Sequence, residues 1–329
     1  MRARAAVILL SVVFSVVTLA QPAPLVLVST AWPPFTNAPG QPRFALDLVE
    51  AALERFGVTA KIAIVPPAQF TPSLLGAQYD GSPAVWRDAE RERALVFSQP
   101  YLQNRLVLVG RHGADVSAKT LTDIKGKHVA IVEGYSYGET IDATGPTFVR
   151  SQSEEDSLTQ LLKGAVDYTL MDALVVDYIA TNYPEESRAK LQIGSVTLVR
   201  RDLYLALARG RTDAESIISR FNAQLRRMVA DRTYHRLLHV DWIKADVDGD
   251  GIPEYVPLTD HPGPSEPQHA YALFSTPLTD SITHETKSGF YLGGNVYSNW
   301  ASVPASYKTV NPSYPDSRQS TASVFTFRW

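Results

Sequence analysis

Short β-rich runs alternate with amphipathic helical runs from Leu25 onward, and the alternation starts afresh after Gly110. A pattern of this kind favours parallel strands joined by crossover helices, and the restart favours two such units. In the first, Leu25–Ser29 reads as a buried strand and Phe44–Phe56 as a helix with Leu46, Val49, Leu53 and Phe56 on one face, stopped by Gly57. Lys61–Val65 and Leu106–Val109 read as further strands, with a short helix at Pro72–Ala77. In the second, His128–Val132 reads as a strand running into Glu133–Gly138, and Ser153-Glu154-Glu155-Asp156 as a helix-capping start closed by Gly164. Val166–Leu170 is a strand ending at Asp172, followed by a helix at Ala173–Asn182. Leu203–Ala208 and Ala214–Ala230 read as a strand and a long helix with Ile217, Ile218, Phe221, Leu225 and Met228 inward. The expected fold class is therefore α/β.

Ahead of these units, Arg2 and Arg4 precede an apolar run from Ala5 to Val17, and Thr18-Leu19-Ala20 offers the small residues a signal peptidase needs. A run of roughly 15 apolar residues is short of the ~20 that span a bilayer, so residues 1–20 read as an export signal cleaved after about Ala20. A membrane anchor is the competing reading. Cleavage implies a periplasmic protein in a host with two membranes. The chain has no cysteine, which excludes a disulfide framework, a thiol nucleophile and a lipid carried on a cysteine. A net charge of -3 with acids and bases interspersed gives no reason to expect a nucleic acid or an anionic membrane as partner. A monomer that takes a small-molecule ligand is expected.

Five ordered pieces carry a resemblance. They are Trp32-Pro33-Pro34-Phe35 at the first strand's end; Glu90-Arg91 ahead of Phe97-Ser98-Gln99-Pro100-Tyr101; Val132-Glu133-Gly134-Tyr135-Ser136; Gly164-Ala165-Val166-Asp167 before Asp172; and Asp231-Arg232-Thr233-Tyr234 before Trp242. In this order the chain from about Leu25 to Trp242 resembles the bacterial extracellular solute-binding proteins of the polar amino-acid type, family 3. The resemblance implies the two-lobed type II periplasmic binding fold, with residues 21–110 and 197–243 in one lobe, 111–196 in the other and the ligand between them. It also implies a binding protein and not an enzyme, working with the permease of an ABC transporter or with a membrane sensor. Exported dehydratases of the cyclohexadienyl or arogenate kind share the architecture, and they are the enzymatic alternative.

Residue by residue, the resemblance assigns Arg91 to a ligand carboxylate, for which a guanidinium fork is suited. The plain alternative is a solvated arginine within Arg87-Asp88-Ala89-Glu90-Arg91-Glu92-Arg93. Arg87 is a second candidate anion donor. Trp32 matches an aromatic that stacks on the ligand, with core packing as its alternative, and Phe35 beside it reads more as packing. Tyr135 and Ser136, after Gly134 and before a helix, offer amides and a hydroxyl to an anion, or an ordinary cap. Asp172 matches the acid that receives a ligand's amino group, although an Asp opening a helix is commonly a cap. One departure stands out: Ser82-Pro83-Ala84-Val85-Trp86 puts apolar residues where amino-acid binders carry hydroxyls, so Trp86 joins the candidate lining and a simple amino acid is not assured as ligand.

Past a boundary near Lys244 the composition changes. Asp246-Val247-Asp248-Gly249-Asp250-Gly251-Ile252-Pro253-Glu254 sets oxygens at alternate positions with glycine sixth, as calcium loops do. Asp246, Asp248, Asp250 and Glu254 would offer carboxylates to a structural Ca2+ and Ile252 its carbonyl. Pro257 in the twelfth place excludes a full EF-hand, and a solvated acidic turn is the alternative. His235 and His239, four apart, lack a third ligand nearby and read as packing or surface residues. Within residues 244–329 Tyr291–Tyr297 reads as a hairpin around Gly293-Gly294.

Overall fold

The computed structural model describes residues 23–138, 141, 145–267, 270–272 and 288–309. The export signal expected over residues 1–20 lies outside them. Among the described residues no helix is long and apolar enough to cross a membrane.

The first unit runs β1 (Leu25–Thr30), α1 (Phe44–Glu54), β2 (Ala60–Val65), α2 (Pro67–Leu75), β3 (Gly81–Trp86), α3 (Ala89–Ala94), β4 (Leu95–Phe97) and β5 (Leu102–Arg111). β1 pairs in parallel with β2 from Leu25↔Ala60 to Thr30↔Val65. It is buried on both faces: Leu25 and Leu27 join the core with Leu48, Val49 and Leu53 of α1, while Val28 packs with Phe70 and Leu74 of α2. This is why the strand reads as a continuous apolar run and not as an alternation. β3 is absent from the sequence reading and opens on Gly81-Ser82-Pro83. In the fold its pairing with β9 (Leu191–Ala208) shifts register between Ser82 and Val85, and a proline is tolerated at such an irregularity because no ladder N–H is needed there.

The second unit contains β6 (His128–Val132), β7 (Thr147–Ser151), α4 (Glu154–Leu162), β8 (Tyr168–Asp172), α5 (Ala173–Asn182) and α6 (Pro184–Lys190). Ser153 caps α4 by accepting from Asp156 N at 3.1 Å, and three acids fill the first turn. The nine-stranded sheet follows the path β2-β1-β3-β9-β5-β8-β6-β7, with β4 also on β9. β5 and β9 are the joints. β5 is 10 residues long and β9 is 18, and they pair antiparallel from Leu102↔Leu203 to Arg111↔Leu191, passing from one lobe to the other. The sequence shows only the buried last third of β9, because its crossing segment alternates between partly buried and exposed residues.

α7 (Ala214–Ala230) and α8 (Thr233–Leu238) return to the first lobe, where Ile217, Ile218, Phe221, Leu225 and Met228 are buried as the helical spacing requires. The chain then builds a second, five-stranded sheet from β10 (Trp242–Ala245), β11 (Glu254–Pro257), β12 (Tyr271–Ala272), β13 (Phe290–Leu292) and β14 (Asn295–Tyr297). The boundary expected near Lys244 falls inside β10. β13 and β14 form the hairpin around Gly293-Gly294, and Phe290, Leu292, Trp300 and Val303 make a small core beneath it. His235 ties this sheet to the lobe: fully buried on α8, its Nε2 lies 2.9 Å from the Val256 carbonyl oxygen.

Candidate functional site

At the end of β1 the chain folds back on itself: Trp32 N donates to Thr36 O at 2.7 Å, and Phe35 N and Thr36 N both donate to Trp32 O at 2.9 Å. The loop aims the Trp32 indole into the seam between the lobes. There it meets Trp86 edge-on at 5.6 Å and Tyr135 of the opposite lobe at 5.6 Å. Trp86 in turn packs against Tyr135 at 5.6 Å and Tyr137 at 5.3 Å, and its Nε1 donates to Asn104 Oδ1 at 2.8 Å. Four aromatic rings drawn from both lobes therefore fill the cleft. Phe35 lies beneath, wholly buried between Trp32 and Phe44, and is core.

Arg91 is not a solvated helix arginine. Asp88 caps α3 by accepting from Arg91 N at 2.8 Å, which turns the Arg91 side chain inward until the residue is only 3% exposed. Its Nη1 donates to Trp86 O at 2.9 Å, and Nη2 donates to Thr71 Oγ1 at 2.9 Å and, across the seam, to Gly134 O at 3.1 Å. Nε faces Asp88 Oδ2 at 3.4 Å. Burial pulls the guanidinium pKa down, the Asp88 charge opposes that, and the charge of Arg201 adds to it. Arg201, at the crossing of β9, is a cation that the sequence reading missed. It donates to Arg87 O at 2.5 Å and lies over the Trp86 ring at 5.9 Å. Arg87 itself turns to the surface, where its side chain is 52% exposed and paired with Glu92.

From the second lobe, the Gly134-Tyr135-Ser136 turn docks against the first. Gly134 has φ +79°, and a Cβ there would stand 2.9 Å from Pro67 O. Tyr135 Oη and Thr30 Oγ1 are 3.2 Å apart. Ser136 lies beside Asp88, whose carboxyl is pushed up by burial but held below its ordinary range by the Arg91 amide, the Ser136 hydroxyl and the Arg91 charge. The space left between the lobes is about 30 Å³, lined by Trp32, Phe70, Trp86, Arg91, Tyr135 and Ser136 among others. That is room for about two waters, against the several hundred Å³ of a small-molecule pocket, so a solute enters only when the lobes part. An open groove of about 710 Å³, between Glu155, Lys163 and Lys190, lies on the second lobe away from these residues.

Asp172 accepts three hydrogen bonds. Its Oδ1 accepts from Leu174 N at 2.8 Å, capping α5, and its Oδ2 accepts from Arg105 N at 2.8 Å and Asn104 Nδ2 at 3.1 Å. Burial lifts its pKa to about 6 against those three donors. Glu154, the first residue of α4, was read from the sequence as part of a capping start. Its Oε2 is buried with no hydrogen-bond partner, and burial together with the Asp172 charge raises its pKa to about 8.

In the acidic loop, carboxylate oxygens of Asp246, Asp248 and Glu254 come within 4.8 Å of one another. Ligands about 2.4 Å from a common calcium ion can be no farther apart than that, so the three fit one ion. Within the loop Asp246 accepts from Gly249 N at 2.7 Å and Gly251 N at 3.0 Å, Asp248 from Asp250 N at 3.2 Å, and Asp250 from Ile252 N at 2.7 Å. Glu254 is buried and accepts from Val247 N at 3.1 Å; burial and the Asp248 and Asp250 charges raise its pKa. His235 and His239 do not share a site: one is held by Val256, and the other ends α8 with φ +53°.

Two α/β lobes joined by two long crossing strands, with an arginine and aromatic rings at the seam, define a cleft-binding protein of the type II periplasmic binding fold. Residues 25–244 match the bacterial extracellular solute-binding proteins, family 3, and the chain belongs to that family. It is 24% identical over 213 residues to a putative ABC transporter arginine-binding protein 2 of Escherichia coli K12, covering 63% of this chain and 85% of that one. A mutant of ArgBP from T. maritima superposes with a TM-score of 0.54 at 27% identity, covering 66% of this chain and 93% of that one. The virulence sensor protein BvgS of Bordetella pertussis (strain Tohama I) is 25% identical over 150 residues, which is 45% of this chain and 12% of that one.

Proposed function

We propose that this is an exported binding protein that captures a small carboxylated solute, an amino acid or a close relative, by lobe closure and presents it to an ABC transporter. The observation that carries the reading is electrostatic. Arg91 and Arg201, both largely buried at the seam, repel each other, and the acid that does most to stabilise each is the same residue, Asp88. Two desolvated guanidinium groups that repel each other favour an anion beside them, and a carboxylate matches the guanidinium fork. Trp32 and Trp86 supply faces for the rest of the solute, and the Gly134-Tyr135-Ser136 turn closes over it. The engagement of Asp172 with three donors supports binding over catalysis.

Mass spectrometry of small molecules released by denaturing the freshly purified protein tests this reading. A carboxylated solute in stoichiometric amount is expected, and a neutral or purely cationic one contradicts it. The likeness to BvgS favours a second reading, a ligand sensor for a membrane receptor. Loss of solute uptake on deletion of the gene separates the transporter from the sensor. We further propose that Asp246, Asp248 and Glu254 hold a structural calcium ion, with Asp250 and the Ile252 carbonyl as additional oxygens.

A further inference from the structure

Two polar atoms face each other across the seam without satisfaction. The Trp32 indole N–H lies close enough to the Glu154 carboxyl to favour its ionised form, yet Trp32 Nε1 and Glu154 Oε2 are both buried without a hydrogen-bond partner. Trp32 is 5% exposed and lines the cleft. Capping does not require Glu154. Ser153 accepts from Asp156 N, and Asp156 accepts from Gln152 N at 2.9 Å, so the start of α4 is complete without it. An acid in a first turn ordinarily points to water, where the helix dipole favours its charge. Glu154 points instead at the opposite lobe.

We infer that Glu154, and not Asp172, is the acid that receives the cationic group of a bound solute, which makes the ligand class one with an ammonium or guanidinium as well as a carboxylate. The inference rests on the cleft being the solute site. Leu174 N, Arg105 N and Asn104 Nδ2 already hold three of the about four lone-pair sites of Asp172, whereas Glu154 Oε2 has no partner. A solute ammonium beside Glu154 answers the unpaired oxygen, offsets the repulsion from Asp172, and sits among the rings of Trp32, Tyr135 and Tyr137, whose faces attract cations.

A proton signature follows. The groups acting on Glu154 are Asp172 and the Trp32 indole; Glu154 in turn acts on Tyr135 and Tyr137, and Arg150 acts on Tyr137. Burial keeps the Glu154 carboxyl protonated near neutrality, with its pKa at about 8. A cation bound against it favours the carboxylate, so binding at pH 7 releases a proton.

The test is calorimetric titration of the purified full chain with L-arginine, L-glutamine, L-glutamate and succinate, in two buffers of different ionisation enthalpy. At least one amino acid is expected to bind with proton release at pH 7, and succinate, which has no amine, to bind at least tenfold more weakly. Glu154→Gln, which keeps the shape, should lower that amino acid's affinity on the order of a hundredfold and abolish the proton release while leaving the fold intact. Unchanged affinity in Glu154→Gln with loss in Arg91→Ala overturns this inference and leaves the cleft reading standing. Unchanged affinity in both variants overturns both. Succinate binding as tightly as the amino acids, or no binding by any of the four, also overturns it.

Discussion

Arg91 Nη2 stands 3.1 Å from the carbonyl oxygen of Gly134, so the guanidinium of one lobe is held by the backbone of the other. The closed arrangement is thus maintained by a group that is also placed to grip a carboxylate. A carboxylate brings a full negative charge and can take two parallel N–H bonds from the fork where a carbonyl oxygen takes one, so it competes well for Arg91. The same contact gives solute binding and lobe closure a common residue.

Replacing Gly134 should therefore disturb closure before it disturbs the fold. Its left-handed backbone costs an L-residue about 1–2 kcal/mol, and a Cβ would stand 2.9 Å from Pro67 O in the other lobe. Gly134→Ala is expected to enlarge the radius of gyration measured by small-angle X-ray scattering, with a melting temperature lower by a few degrees. An unchanged scattering profile would show that the turn does not dock.

Loss of the Arg91 guanidinium should weaken solute binding far more than it weakens the fold. Truncating one partner of a buried charged contact costs ~2 to 5 kcal/mol, so Arg91→Ala is expected to lower affinity by roughly thirtyfold to several thousandfold. Arg91→Lys should recover only part of the loss, because a point charge cannot reproduce the fork that spans Trp86 O, Thr71 Oγ1 and Gly134 O. Calorimetry with the solute released from the wild type measures both.

How much of this was legible in the sequence depends on what each residue contacts. Strand and helix order could be read because burial on one face or both leaves a period, as in α7. The pairing of Trp32 with Arg91 came with the family resemblance. Arg201 and Glu154 could not be read: Arg201 sits in a strand with mixed exposure, and Glu154 looks like any acid at a helix start until the opposite lobe buries its oxygen. Asp172 was open between ligand acid and cap, and in the fold it caps α5 and also accepts from Asn104 and Arg105 of β5. Arg87 was a second candidate behind Arg91, and the fold turns it to the surface beside Glu92 while Arg91 turns inward.

Stability should fall as pH rises above neutrality. Glu154 has its pKa raised from 4.5 to about 8 and Asp172 from 3.8 to about 6, so each stabilises the fold fully below its ordinary value and loses that contribution as pH climbs through the raised one. His235 is lowered by burial from 6.5 to about 4, so its contribution is lost as pH falls through that window. Between about pH 7.5 and 9 the Glu154 trend stands alone among these three. Thermal melts should show a falling melting temperature there, and Glu154→Gln should flatten it.

Calcium removal should act on the second sheet and not on the cleft. Three carboxylates within 4.8 Å repel unless a cation lies between them, and the loop they form joins β10 to β11. Chelation is expected to lower the melting temperature, calcium to restore it, and Asp248→Asn to reduce the response. Solute affinity should change little. The absence of any shift on chelation would contradict a structural ion.

The central claim is that the lobes part and close on a solute. The chain has no cysteine, so Glu54→Cys and Lys127→Cys, exposed on opposite lobes, can carry a dye pair without background labelling. Single-molecule energy transfer between them reads the inter-lobe distance directly. With a panel of amino acids, at least one should shift a mixed distribution to a single short distance matching the closed arrangement. One unchanging distance across the whole panel would contradict the account.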